Sequence, residues 1–399
     1  MVSRICRRFC YKSALSIAHA DKMCDQTHLT DKPDDFQELS KFPFLSVHSP
    51  HFDTIANVKK MMHQFPFVVR DSILRTDPEM RGVVERYDEL CYYTGPERDL
   101  YPGPVLMDCY TALESPEKLT CDRLKMATML SWAFEHAGTS TIIVDDVMDE
   151  SVERWKKPTW HTLPQVGMRV ALDVNLIRMG AFAILRRYLN NHPNYKHFHN
   201  LLAEIIHQTS LGQALDVATS GLFRKTRDIS LLSFDGFYAI TKYKADFIIY
   251  TAPILSAIYL AELDPNLYFD SVRLFRSFSI YRQAQNDMWD AFGHYANYGK
   301  VSSDIANGQC TWITSMVLIH GSEKQKELLQ ENYGRAEISC RNVCYRIFEE
   351  LDVLGKYVEL KEDLVRSCAE RISEVSHPGF ARMINTLLEH YVVQEDFLL

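Results

Sequence analysis

Two groups of acidic residues carry the chemistry that this sequence most clearly suggests. The first group, Asp145, Asp146 and Asp149, closes the apolar run 142–144. On a helix, Asp145 and Asp149 would lie one turn apart on the same face, where like charges destabilise the helix unless a cation neutralises them. Mg²⁺ in proteins commonly joins one or two carboxylates to the phosphate oxygens of a substrate. The alternative interpretation of this group alone is a solvated acidic helix end.

The second group lies much later in the chain and repeats this geometry. Asn286 and Asp290 are one helical turn apart, with Asp287 beside them. Two such groups, each at the end of a long helix, could face each other across a cavity. Together they would hold Mg²⁺ ions that grip a diphosphate and stabilise it as a leaving group, which makes Asp145, Asp146 and Asp149 candidate catalytic residues. Three basic residues could complete the site: Arg154, Lys244 and Lys300.

The elements that must position these groups are helices. Apolar residues recur at spacings of three and four in these segments: 122–143, 166–189, 198–218, 237–260, 272–289, 305–320 and 324–351. Alternation typical of strands is missing. The first 50 residues are polar, with several prolines and no sustained periodicity. We therefore expect an all-α protein with an N-terminal extension at 1–50 and one helical domain at 51–399.

Composition narrows the function class. A net charge of −8 argues against nucleic acid as a partner, because phosphate backbones are bound by clustered Lys and Arg. No apolar run is long enough to span a bilayer, so no transmembrane segment is expected. The first twenty residues are basic and serine-containing, without an acidic residue before Asp21. They fit either a mitochondrial transit peptide or a basic tail of a cytoplasmic protein.

From roughly residue 65 to 380 the sequence resembles the farnesyl diphosphate synthase family. The segments that carry the resemblance are DDVMDESVER (145–154), GQALD (212–216), KYKA (242–245), QAQNDMWDAFG (283–293) and GKVSSDIANGQCTW (299–312). The resemblance implies the class I isoprenoid synthase fold, an antiparallel helical bundle around a deep central cavity, and a homodimer. It also implies a prenyl diphosphate substrate and a cofactor of three Mg²⁺ ions.

The resemblance also assigns residues. It makes both acidic groups metal ligands and gives Arg154, Lys244 and Lys300 to the allylic diphosphate, while Gln283, Gln213 and Asp216 line the same site. Family members limit the length of the product with bulky aromatic residues shortly before the first acidic group. Those positions are Ser140 and Thr141 here, so we expect a deeper cavity floor.

Five positions depart from the family pattern. The family binds isopentenyl diphosphate in a basic pocket whose GGKxNRG stretch aligns with 97–103, and several of its donors are replaced. The replaced positions are Asp99, Pro102, Gly138, Trp155 and Gln309. Because diphosphate binding depends on charge-assisted bonds from Lys and Arg, these changes predict that isopentenyl diphosphate is not bound.

An intact metal-binding half with an altered second pocket resembles the insect terpene synthases derived from this family. The sequence is therefore interpreted as a lyase that ionises farnesyl diphosphate and converts the cation into a sesquiterpene. One alternative is a short-chain prenyltransferase that condenses isopentenyl diphosphate with an allylic diphosphate. Two further alternatives are a diterpene synthase acting on geranylgeranyl diphosphate and a non-catalytic partner subunit.

Overall fold

The computed structural model describes residues 78–95, 101–293 and 303–393, all within one compact unit, Leu45–Leu399. We number its helices in chain order. They are α1 Arg81–Thr94, α2 Pro102–Leu113, α3 Cys121–Met148, α4 Val170–Leu189, α5 Tyr195–Thr226, α6 Phe234–Thr241, α7 Ala252–Leu260, α8 Asn266–Phe269, α9 Val272–Phe292, α10 Asp304–Asn307, α11 Trp312–His320, α12 Glu323–Asn332, α13 Ile338–Glu350, α14 Val353–Glu374 and α15 Pro378–Leu388. A π-helical segment, Lys242–Thr251, joins α6 to α7, and a second one, Glu389–Val393, follows α15. The all-α prediction is confirmed.

The long helix α3 runs through the middle of this arrangement and carries the first acidic group at its end. It packs against α2, α4 and α5, and its middle turns are buried on every side, including Trp132 and Phe134. A helix that is buried all round lies in the core of a large domain. The hydroxyl of Thr120 caps its start by accepting from the Arg123 amide, and the helix ends at Met148, just before Glu150 takes a left-handed conformation.

Two predicted helices are each broken in the structure. The run at 305–320 divides into α10 and α11, because Gly308 takes φ +67° between them. The run at 324–351 divides into α12 and α13 around Gly334, with φ +74°. Glycine adopts this left-handed conformation at little cost and so ends a helix, even where the apolar spacing continues across the break.

A small hairpin follows α3 that the apolar spacing did not predict. Glu153–Arg154 pairs antiparallel with Lys157–Pro158. Its two turn residues, Trp155 and Lys156, both have positive φ, which is the geometry of a tight two-residue hairpin turn. Two-residue strands are too short to show alternation, and the turn lacks the glycine or asparagine that usually marks it.

Several expectations concern residues outside the described ranges. The boundary near residue 50 and the transit peptide or basic tail at 1–20 lie there and stay predictions. Within the described part of the chain, no helix combines the length and apolarity needed to cross a bilayer.

Candidate active site

The first acidic group is held by Arg154, which the hairpin returns toward the end of α3. Its Nε donates to Asp146 Oδ1 at 2.7 Å and its Nη2 to Asp145 Oδ2 at 3.1 Å. Carboxylates are unfavourable at a helix C-terminus, where the helix dipole is negative. The guanidinium therefore offsets a repulsion that the sequence creates at this point.

Lys244 connects this group to helix α5. Its ammonium, from the π-helical segment, lies 2.8 Å from Asp145 Oδ1 and 2.6 Å from Asp216 Oδ2. Burial alone would lower the pKa of Lys244, but the charges of Asp145 and Asp216 raise it well above its ordinary value. Lys244 is therefore positively charged at neutral pH.

Asp287, in the second group, has a pKa that its surroundings raise. Its Oδ1 accepts from Gln283 Nε2 at 2.9 Å and its Oδ2 from the Trp312 amide at 2.6 Å. Burial, with the nearby charges of Asp290 and Asp216 adding to it, nevertheless raises its pKa to about 7. The main cause is thus the loss of water around this carboxyl, which its two hydrogen bonds offset only in part.

The other two members of the second group, Asn286 and Asp290, lie beside Asp287 on α9. Asp290 is buried and accepts from the amides of Ser303 and Asp304, both at 3.1 Å, so it fixes the start of α10. Asn286 lies half-buried on the same helix. The backbone at the start of α10 is thereby tied to the end of α9.

One short segment contacts both acidic groups. Gln309 Nε2 donates to Asp149 Oδ1 at 3.1 Å, and three residues later the Trp312 amide bonds Asp287. Three residues of extended chain span about 10 Å, so the two groups lie close together. The sequence analysis names Gln309 only as a position where a family cation is replaced, and the contact with Asp149 is a finding of the structure.

The predicted site residues gather in this region, with some differences in detail. Gln213 is buried beside Asp216 on α5, and neither atom of its amide has a hydrogen-bond partner within the described ranges. Thr141 is half-buried, on the face of α3 that carries Asp145, and its hydroxyl donates to Thr209 at 3.4 Å. Ser140 is fully buried and accepts from Arg178 Nε of α4 at 3.1 Å. Lys300 lies outside the described residues.

The donor chemistry of the site fits Mg²⁺. Carboxylate and amide oxygens are the ligands that this ion prefers, and both acidic groups supply them. No point in the described ranges is surrounded by three His, Cys, Asp or Glu side chains. The binding of Mg²⁺ by these residues therefore stays a prediction.

The raised pKa of Asp287 has a consequence for stability in the absence of metal. Between the ordinary carboxyl pKa of about 3.9 and about 7, the folded protein binds the proton more tightly than the unfolded chain. This stabilisation is present below about pH 4 and is lost as pH rises through 7. We expect the free energy of unfolding in EDTA to fall less between about pH 5 and pH 7.5 in Asp287→Asn than in wild type, measured by urea titration. An identical pH dependence in both proteins would contradict the assignment.

The chain is similar to known prenyl diphosphate synthases in sequence. The family model described as polyprenyl synthetase matches residues 103–351. Farnesyl pyrophosphate synthase of Gallus gallus is 28% identical over 318 residues, 78% of this chain and 86% of the relative. That of Murgantia histrionica is 28% identical over 88% of this chain and 89% of its own. Geranyl diphosphate synthase of Ips pini is 28% identical over 75% of this chain and 74% of the relative.

The fold is shared with a solved structure of the same class. Farnesyl diphosphate synthase of T. brucei, in complex with risedronate, superposes with a TM-score of 0.76 at 22% identity, over 85% of this chain and 98% of that protein. The expected isoprenoid synthase fold is therefore confirmed.

The same relatives overturn the expectation of a terpene-forming lyase. They are named for making farnesyl and geranyl diphosphates. The interpretation as a terpene synthase, acting on either farnesyl or geranylgeranyl diphosphate, rests on the altered donors. It assumes that a pocket with these changes no longer binds isopentenyl diphosphate. Of these positions, Gln309 contacts Asp149 in the first acidic group and Trp155 occupies the hairpin turn. Loss of a donor at a given position still allows other cations of the fold to take its role.

Proposed function

The chain belongs to the polyprenyl synthetase family, and we propose that it is a short-chain prenyltransferase that condenses isopentenyl diphosphate with an allylic prenyl diphosphate. The observation that carries the proposal is the meeting of two acidic groups, from α3 and α9, on the segment Gln309–Trp312. Its relatives are named for farnesyl and geranyl diphosphates, which are prenyl diphosphates like the product of this condensation.

The two acidic groups would hold Mg²⁺ between α3 and α9. When bound, the metal withdraws electron density from the leaving diphosphate. Its ligands would come from these residues: Asp145, Asp146, Asp149, Asn286, Asp287 and Asp290. Asp290 also holds the backbone at the start of α10, so a change there would disturb the shape of the site as well as its charge.

The cations of the site would bind the allylic diphosphate. Arg154 and Lys244 are already directed at Asp145, the carboxylate next to which that diphosphate would lie. The buried Gln213 amide would bond the same substrate, since a desolvated amide is costly unless it finds a partner. We further propose that Lys300 and Gln283 join this set and that the hydrocarbon tail passes Thr141 and Ser140.

Condensation can be tested directly with a labelled second substrate. Geranyl diphosphate, labelled isopentenyl diphosphate and Mg²⁺ are expected to give labelled farnesyl diphosphate, separated by chromatography. Omission of Mg²⁺ in the presence of EDTA should abolish the product. Consumption of geranyl diphosphate without incorporation of the label would exclude the proposed function.

We also propose that the enzyme is a homodimer. Exposed apolar side chains lie along α4 and α5, at spacings that place each set on one helix face: Leu172, Met179, Leu211, Leu215 and Leu222. Apolar patches of this kind mark protein interfaces. Sedimentation velocity should report twice the 46.2 kDa chain mass, and a monomer at micromolar concentration would contradict the proposal.

A further inference from the structure

Arg282 places a guanidinium on the same helix as the second acidic group, one turn before it. It precedes Asn286 by four residues, which is about 6 Å along α9 and on the same helix face. Its Cζ lies 4.1 Å from the centroid of the Tyr101 ring and 4.8 Å from that of Trp289. Its Nη1 donates to Gln285 Oε1 at 2.8 Å. Arg282 is therefore held in a defined position at the start of α2.

Tyr101 in turn is fixed to helix α3. Its amide donates to Glu135 Oε1 at 3.1 Å, and the Gly103 amide donates to the same oxygen at 2.8 Å. Glu135 is fully buried. Arg282 consequently reaches from α9 to Tyr101, at the start of α2, which is clamped on α3. In the sequence, Tyr101 stands between Asp99 and Pro102, the two positions that replace basic residues.

A prenyltransferase has to bind two diphosphates at once. In the described part of the site, Arg154 and Lys244 are both engaged with carboxylates of the first group and Asp216. A guanidinium stacked on aromatic rings uses its faces for that contact, while its N–H groups point outward in the plane and match phosphate oxygens. Arg282 has this arrangement one helical turn before Asn286.

Resting on the proposed function, we propose that Arg282 binds the diphosphate of isopentenyl diphosphate. It would supply from α9 the positive charge that positions 99 and 102 lack. The aromatic contacts would keep the guanidinium in place before the substrate arrives, so little side-chain entropy is lost on binding. The allylic diphosphate would be held by its own cations and would not depend on Arg282.

The test measures the two substrates separately. Equilibrium binding of labelled isopentenyl diphosphate to the full chain, with no allylic substrate present, is expected to weaken roughly 10- to 100-fold in Arg282→Met. Arg282→Lys should retain part of the affinity, because it keeps the charge but loses the bidentate geometry. The KM for geranyl diphosphate should change by less than about threefold. Arg273→Met, which removes an exposed charge from the same helix, is the matched control and should bind like wild type.

The outcomes separate the inference from the function that it rests on. Unchanged affinity in a folded Arg282→Met, with wild type still making elongated product, would overturn the role of Arg282 alone. Binding that depends on Arg282, without elongated product from wild type, would overturn the proposed function alone. Arg282→Gln serves as a second neutral variant if thermal unfolding shows that Arg282→Met does not fold. Wild-type affinity of Arg282→Gln for isopentenyl diphosphate would equally overturn the inference.

Discussion

Asp145→Ala is expected to lower kcat/KM by at least ~100-fold, since loss of even an outer partner of a metal ligand costs 10- to 100-fold. Asp145 accepts bonds from both Arg154 and Lys244, the two cations that we propose bind the allylic diphosphate. Its removal would weaken metal binding and would also leave two cations without this carboxylate between them. Initial rates over a range of Mg²⁺ concentrations, together with Mg²⁺ affinity by calorimetry, measure both effects.

The matched control lies on the same helix. Asp122 is at the start of α3 with 82% of its side chain exposed, far along the helix from the site. Asp122→Ala should leave both the rate and the Mg²⁺ affinity unchanged. Full activity of Asp145→Ala at saturating Mg²⁺ would remove Asp145 from the site.

The packing of α5 against the π-helical segment predicts a second large effect, at Gly212. A Cβ at this position would lie 2.5 Å from Lys244 Cα and 2.6 Å from the Tyr243 carbonyl carbon. These are backbone atoms, so no change of rotamer relieves the contact. Gly212→Ala is expected to reduce the free energy of unfolding by about 1–3 kcal/mol and to displace Lys244 from Asp145 and Asp216.

Urea unfolding and the KM for the allylic substrate test this effect. Gly221 lies on the same helix, and a Cβ added there would meet no atom within 4 Å. Gly221→Ala should therefore stabilise the protein by about 0.5–1 kcal/mol, because alanine is the better helix former. If Gly212→Ala unfolds at the same urea concentration as wild type, then α5 and the π-helical segment are not packed as closely as described.

The long helices and the two acidic groups could be predicted from sequence, because spacing along a helix is a local property. The run 122–143 corresponds to Cys121–Met148, and the geometry of Asp145 and Asp149 follows from it. The contact of Gln309 with Asp149 spans 160 residues and has no local signal. The break at Gly308 cannot be predicted from apolar spacing, because that spacing says little about backbone conformation.

The functional error had a different origin. The prediction of a lyase equates absent donors at five positions with an absent substrate, which treats a binding site as a fixed set of sequence positions. The structure shows a further cation, Arg282, one turn before Asn286 on the same face. Electrostatic attraction depends on where charges lie in space, so a cation from another helix can serve the same ligand.

The Glu135 clamp has a consequence for how this fold can be altered. It holds the backbone amides of Tyr101 and Gly103, so it fixes the start of α2 through main-chain atoms. A Cβ added at Gly103 would lie 3.0 Å from Glu135 Cγ and Oε1, so this position favours glycine. The side chain at 101, by contrast, can be exchanged without removing either bond of the clamp. Redesign of the start of α2 therefore has freedom at position 101 and little at position 103.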